Sequence, residues 1–227
     1  MDATSDSASA VVLTCGDARW PGTGATPAVS VLSVSSVPSP PERDDLRDVL
    51  ASLQGRRLVV CGTDADLAAV LLRLLRTDAL AVPVGYAPAS ASSVVARLCG
   101  LPAAPAAAAR VALHGEPRKM PLVRDDAGGL LVGLGVVAPV RGVAYCDDDP
   151  VLRGRAARLE VQPDPQQGLV VRVLRRGLFG YRVCQASAGR AVQLGCAPAG
   201  VWRDGIAGRT TDRWTWYRHT EDWLLAH

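Results

Sequence analysis

The chain has 227 residues, with 25 basic and 22 acidic side chains for a formal charge of +3. That length allows one large or two small domains, and the charge is too small to point to nucleic acid. No apolar run reaches the roughly 20 residues of a membrane span, and the amino-terminal MDATSDSASA lacks the basic start and apolar stretch of a signal peptide. A soluble, cytoplasmic protein is expected. Lys119 is the single lysine, and the arginine-rich stretches 153–158 and 172–176 contain no aromatic platform. They read as solvated strand faces. The six cysteines show no CxxC spacing. Several sit in apolar runs, where a thiol behaves as a small hydrophobe, so reduced and buried side chains are expected.

In chain order, Ala10–Thr14 and Val29–Val34 are short β-rich runs. The GTG of Gly22–Gly24 lacks the G-K-[ST] of a Walker loop and reads as a plain loop. After the loop SVPSPPERDD, the stretch Arg43–Leu53 places Leu46, Val49, Leu50 and Leu53 on one helical face. Leu58–Cys61 is an unbroken apolar run, as in a strand covered on both faces. It is followed by Asp66–Leu75, where Leu67, Val70, Leu71, Leu74 and Leu75 fall at helical spacing. Leu80–Val84 is a further strand. Ser92–Leu98 is a helix that ends at Cys99-Gly100-Leu101-Pro102, a glycine stop followed by proline. This βαβα order predicts a parallel sheet with right-handed crossovers.

The pattern changes from about residue 110. RVALH, MPLV, GLLVGLGVV, GVAYC, ARLEV, GLVVRVL, YRVCQA, AVQLGC and RWTWYRH are short β-rich runs, separated by turn sequences such as DDAGG, DDDP and PDPQQG. The predicted fold class is therefore α/β plus all-β: a nucleotide-binding-like α/β domain over 1–104, then an antiparallel β-sandwich over 105–227. GLPAAPAAAA (Gly100–Ala109) is read as the linker, and a ligand cleft is expected between the two lobes.

The turn Cys61-Gly62-Thr63-Asp64-Ala65-Asp66 joins a buried strand to a helix. Free N–H groups and the positive end of the helix dipole make such a turn an anion site, and glycine allows close approach of a ligand. Two carboxylates there would repel phosphate unless Mg²⁺ lay between them. The alternative reading makes Asp66 the N-cap of the helix and Asp64 a turn residue.

From Gly62, GTDADLAAVL resembles GGDGTLNEVL, the signature of the diacylglycerol kinase catalytic domain. That family includes sphingosine and bacterial lipid kinases, and is related in fold to NAD kinases and phosphofructokinases. ALAVPVG resembles the strand leading into the family's P-x-G-T-G-N-D, and VVARLCGLP (Val94–Pro102) its D-F-A-R-x-L-G-L-P. WRDGI and RWTWYRHTEDWLL resemble the last β-hairpin region of such proteins, including small actinobacterial members. The resemblance implies ATP and Mg²⁺ as cofactors and phosphoryl transfer to a lipid hydroxyl. It assigns Gly62, Thr63, Asp64, Ala65 and Asp66 to the nucleotide phosphates, Asp64 also to the metal, and Gly85 to the second phosphate loop. It also implies a lipid acceptor, peripheral rather than spanning membrane contact, and a homodimer formed through the β lobes.

The motifs are degenerate. Thr63 and Ala65 stand where the signature has glycines, Asp66 where it has threonine, and YAPASASS replaces G-T-G-N-D. Ala65 fits only with negative φ. The small residues Ala89–Ser93 suggest a flexible loop in which Ser90, Ser92 and Ser93 donate hydrogen bonds. In the second half, Gln167 stands at a family aspartate, and Asp164, Asp147, Asp148 and Asp149 lie nearby or in a turn. No general base is assigned. Asp204-Gly205 matches the family's D-G-E turn, with Ile206 at the acidic position. The alternative function is thus a catalytically inactive pseudokinase that binds a lipid, nucleotide or protein. Trp214 and Trp216, two apart on one strand face, form a core anchor or a stacking surface. His219 shares a face with Tyr217.

Overall fold

The structure, a computed structural model, describes residues 9–22 and 30–227. Thr23, Gly24, Val29 and the first eight residues lie outside them, so part of the second predicted strand and most of the GTG loop are not described. The described chain divides into two compact units. One comprises the residues up to Met120 together with Trp223–His227, and the other is Pro121–Asp222.

The first unit contains β1 (Ser9–Cys15), β2 (Ser30–Val37), α1 (Arg47–Ser52), β3 (Arg57–Gly62), α2 (Asp64–Arg76), β4 (Pro83–Pro88), α3 (Val94–Leu98) and α4 (Pro105–His114). Its sheet is parallel, in the order β2-β1-β3-β4. From Ala10 to Leu13, and from Leu58 to Cys61, every residue is buried, which explains the unbroken apolar runs of β1 and β3. On one face Ala112 and Leu113 of α4 pack with Ala10 and Val12 of β1 and Val59 of β3. Helix α2 packs along β3 and buries Leu67, Val70, Leu71 and Leu74, one stripe at helical spacing.

Helix α4 corrects two expectations. The second half of the Ala/Pro tract expected as a linker, Pro105–Ala109, together with RVALH, expected as a strand, forms one helix. Pro105 occupies its first turn, where a missing N–H costs nothing. Ala108, Ala109, Ala112 and Leu113 are its buried face. Its last carbonyls are held by the Arg57 guanidinium, which donates to Leu113 O and, at 2.8 Å, to Gly115 O. Small side chains let α4 lie close on the sheet.

The second unit is built from antiparallel strands: the end of β5 (Pro117–Asp125), β6 (Leu130–Leu131), β7 (Gly135–Ala138), β8 (Val140–Cys146), β9 (Asp149–Ala156), β10 (Arg158–Asp164), β11 (Gly168–Gly177), β12 (Gly180–Gly189), β13 (Ala191–Arg203), β14 (Ile206–Ala207) and most of β15 (Thr211–Ala226). Val192–Cys196 of β13 pair with β8, and Val192–Gly195 also with β15. After a register shift between Gly195 and Ala199, Gly200–Arg203 pair with β7. Such a shift is how one strand changes partners and turns a corner. One core collects Val137, Leu159, Val161, Leu169 and Val171 with Ala144, Leu152, Val192, Trp214 and Trp216.

Leu224 and Leu225 of β15 pair in parallel with Pro83 and Val84, adding the last strand to the first unit's sheet. His227 fixes the following residues: its N–H donates to Glu116 O at 3.1 Å, and its Nε2 lies 2.7 Å from Cys99 O.

Gly85 lies inside β4, opposite Val59. A Cβ there would fall well inside van der Waals distance of the Ala112 carbonyl of α4. Because that clash is with backbone, Gly85→Ala is expected to destabilise the protein by about 3 kcal/mol, as overpacking does. A lower urea midpoint at unchanged m-value is the measurement that checks this.

Candidate functional site

The turn after β3 is fixed by side chains of its own sequence. Thr63 is the N-cap of α2, with an extended backbone at φ −84° and ψ 169°. Its Oγ1 accepts from Asp66 N at 3.2 Å, and the Asp66 carboxylate accepts from Thr63 N at 2.7 Å. This is a reciprocal capping box, so the helix starts two residues earlier than expected, and Asp66 is its third residue rather than its N-cap. Asp66 is fully buried and also accepts from Ser39 Oγ at 2.7 Å and Thr63 Oγ1 at 2.8 Å. A Cβ on Gly62 would come within 2.6 Å of Asp66 Oδ2. Glycine at this position therefore makes room for the Asp66 carboxylate. Ala65 sits in the first turn of α2 and is not among the positive-φ residues, which is why it is tolerated without glycine.

Asp64 is the first residue of α2 and is 9 % exposed. Its Oδ1 accepts from Tyr86 Oη at 2.9 Å and Ser93 Oγ at 2.5 Å. Its Oδ2 accepts from Val94 N at 2.7 Å and Val95 N at 3.3 Å. Ser93 in turn caps α3 by accepting from Ala96 N at 3.0 Å. Tyr86 Oη also lies 3.1 Å from Gly62 O, and burial, then the Asp64 charge, pushes its phenol well above the usual range. Ser90 and Ser92 bond to one another at 2.8 Å, while Ala89 N donates to Gly62 O at 2.8 Å. The segment expected as a flexible loop is thus tied down at both ends.

The structure brings Gly62, Thr63, Asp64, Ala65 and Asp66 together in one turn and places Gly85 in the middle of β4. It adds Tyr86, Ser93 and Ser39, which sequence reasoning does not assign as partners of these carboxylates. The Thr63–Asp66 spacing is itself a capping signal. The contacts of Asp64 join residues more than twenty positions apart and have no local signature.

A cavity of about 680 Å³ opens at the carboxyl ends of β1, β3 and β4, lined among others by Cys15, Asp17, Arg19, Ser39, Cys61 and Thr63. Ligands of open parallel sheets bind at this edge. Its thiols are held protonated. Burial, then the Asp66 charge and Cys61, pushes Cys15 up to about 12, and burial raises Cys61. Among the described residues no three His, Cys, Asp or Glu side chains converge to hold a metal.

Three of the acidic residues considered in the second unit hold backbone. Asp204 Oδ1 accepts from Gly133 N at 2.7 Å and Leu134 N at 2.9 Å, and its Oδ2 from Val132 N at 3.1 Å. Asp147 accepts from the N–H groups of Arg190 and Ala191. Asp164 accepts from those of Gln166 and Gln167. Trp214 and Trp216 are core residues with ring centroids 5.8 Å apart at 69°, an edge-to-face pair.

No protein-family model matches the chain, and no curated protein matches it in sequence. Its fold does match solved structures. A diacylglycerol kinase from Bacillus anthracis str. Sterne superposes with a TM-score of 0.72 at 11% identity, covering 97% of each chain. An NAD kinase from Archaeoglobus fulgidus, solved in complex with ATP, superposes with a TM-score of 0.52 at 13% identity, covering 96% of this chain and 93% of that one. The chain therefore has the fold shared by diacylglycerol kinases and NAD kinases. No helix among the described residues is long and apolar enough to cross a membrane.

Asp64→Asn replaces an acceptor of four donors with a group that is itself half donor. The expected loss is about 3 kcal/mol, the scale for breaking a buried charge-assisted network, read from denaturant unfolding. Iodoacetamide at pH 8 is expected to label the exposed Cys184 first and to leave Cys15 and Cys61 unmodified in the folded protein. Peptide mass mapping reads this directly. Because the fold holds the Cys15 proton more tightly than the unfolded chain does, that stability is intact below about pH 9 and is lost as pH rises towards 12. The checking measurement is the unfolding midpoint across that window.

Proposed function

We propose that this protein is a pseudokinase: a lipid-kinase fold whose nucleotide turn has become structural, leaving a catalytically inactive binding module. The observation that carries this is the Asp64 carboxylate, whose two oxygens already accept four hydrogen bonds. A Mg²⁺ ligand must offer a free oxygen lone pair, and phosphates at a helix start need free N–H groups. Here the N–H groups of Thr63 and Asp66 are taken by the capping box, and the buried Asp66 would repel an anion. Gly85 lies under α4 rather than in a loop. These residues do not fit Mg²⁺-ATP, and no phosphoryl-transfer step is derived through them.

The cavity beside the turn supports retention of a ligand site in the first unit. Among the described residues Arg19 is its one cationic lining residue, facing the same space as Asp17 and two neutral thiols. In this reading the ligand is a lipid or a nucleotide fragment held without transfer chemistry, in the cytoplasm.

The second reading is an ATP-dependent lipid kinase. The fold match to a diacylglycerol kinase favours it, as does the position of the cavity at the sheet edge. Thermal unfolding with and without Mg²⁺-ATP separates the two. A ligand at about 100 times its Kd adds about 2.7 kcal/mol of apparent stability. The pseudokinase reading expects no shift at millimolar Mg²⁺-ATP and no ATP-dependent phosphorylation of a diacylglycerol-containing lipid extract. A shift abolished by Arg19→Ala, together with lipid phosphorylation, would overturn it.

A further inference from the structure

Strands β11 and β12 form a hairpin whose tip is Leu178-Phe179. Gly177 pairs with Gly180, so only two residues make the turn, and Gly180, at φ +123°, absorbs part of the reversal. Two-residue turns favour Asn, Asp and Gly. This one carries Leu178 at 96% exposure and Phe179 at 102%, and Phe179 is the only phenylalanine in the chain. Neither local turn preference nor core packing accounts for these two side chains.

The flanking charges run the same way. Arg175 lies directly opposite Arg182, and Arg176 opposite the half-exposed Tyr181. Like charges facing across a strand pair are unfavourable, and among the described residues none of these three arginines forms an ion pair. Strand β12 ends the order β12-β11-β10-β7-β13 and is exposed along most of its length.

We propose that this hairpin is a membrane-docking element that inserts Leu178 and Phe179 into the surface of a bilayer rich in anionic lipid. At about 3.4 Å per residue, Arg176 and Arg182 stand about 7–10 Å behind the tip. That matches the roughly 5–10 Å to which interfacial apolar groups sink, so the guanidinium groups meet the headgroups as the tip meets the acyl boundary. Facing arginines that repel one another in solution gain a common anionic partner there. A second copy of this chain paired along β12 would bring further arginines to the same place, so the charge favours anionic lipid over self-association. The proposal is independent of the nucleotide turn and holds for either reading of it.

The test is flotation of the full chain with phosphatidylcholine vesicles and with vesicles containing roughly one phosphatidylglycerol in three. Binding is expected to the anionic vesicles only, and to weaken with salt. Leu178→Ser/Phe179→Ser is expected to reduce partitioning at least tenfold. Arg175→Gln/Arg182→Gln is expected to reduce it about 25-fold, about fivefold per arginine, and to remove most of the salt dependence. Both variants should melt at the wild-type temperature, because the altered side chains are exposed. Absence of vesicle binding, or undiminished binding by the tip variant, would overturn the proposal. So would sedimentation showing that the tip is needed for a dimer and not for lipid, or equal loss of binding to heparin or duplex DNA in place of lipid.

Discussion

The first unit depends on one buried carboxylate meeting four donors. Asp64 faces the hydroxyls of Tyr86 and Ser93 and the first N–H groups of α3. It thereby ties together the end of β3, the start of α2, strand β4 and helix α3. A five-residue helix such as α3 has no stability of its own, and charge-assisted bonds of this kind are among the strongest a protein makes. In this chain the Asp64 carboxylate holds these neighbouring segments in place.

The second unit repeats the device. Asp125, fully buried, accepts from the N–H groups of Ala127 and Gly129 and pairs with Arg203 at 2.7 Å. Asp147 and Asp204 adopt positive φ, which aspartate tolerates better than most residues, and the carboxylate of each accepts from backbone far away in sequence, Arg190 and Ala191 for Asp147 and Val132 to Leu134 for Asp204. Acidic residues that in a sequence suggest a metal or a base are, in this fold, acceptors for backbone N–H groups that would otherwise be unpaired.

Much of this is legible in the sequence where the signal is periodic. The unbroken run Leu58–Cys61 and the stripe from Leu67 to Leu74 read as a strand and a helix because burial on two faces and on one stripe leave different patterns. Trp214 and Trp216 read onto one strand face for the same reason. Helix α4 escapes because alanine and proline look like a linker. Its buried stripe is made mostly of methyl groups, and only the approach of the sheet makes it a core surface. Gly85 reads as a loop residue, whereas its place is set by the Ala112 carbonyl, a neighbour that no short motif reports. The partners of Asp64 are hidden in the same way, since they are set by strand order.

The first unit is discontinuous in sequence, and this bears on how the protein is made. Its described residues up to Met120 include the four parallel strands β1 to β4, yet the outer side of β4 is completed by Leu224 and Leu225, and His227 bonds back to Cys99 and Glu116. A ribosome emits these partners only after Pro121–Asp222. The intervening Pro121–Asp222 has mostly near-neighbour antiparallel pairings and its own core, so it can fold as it emerges, while the earlier segment waits with one sheet edge open. Vectorial synthesis thus leaves the segment before Pro121 unfinished until the residues after Asp222 are made, and for that interval the unpaired edge of β4 depends on chaperones or on speed to stay unaggregated.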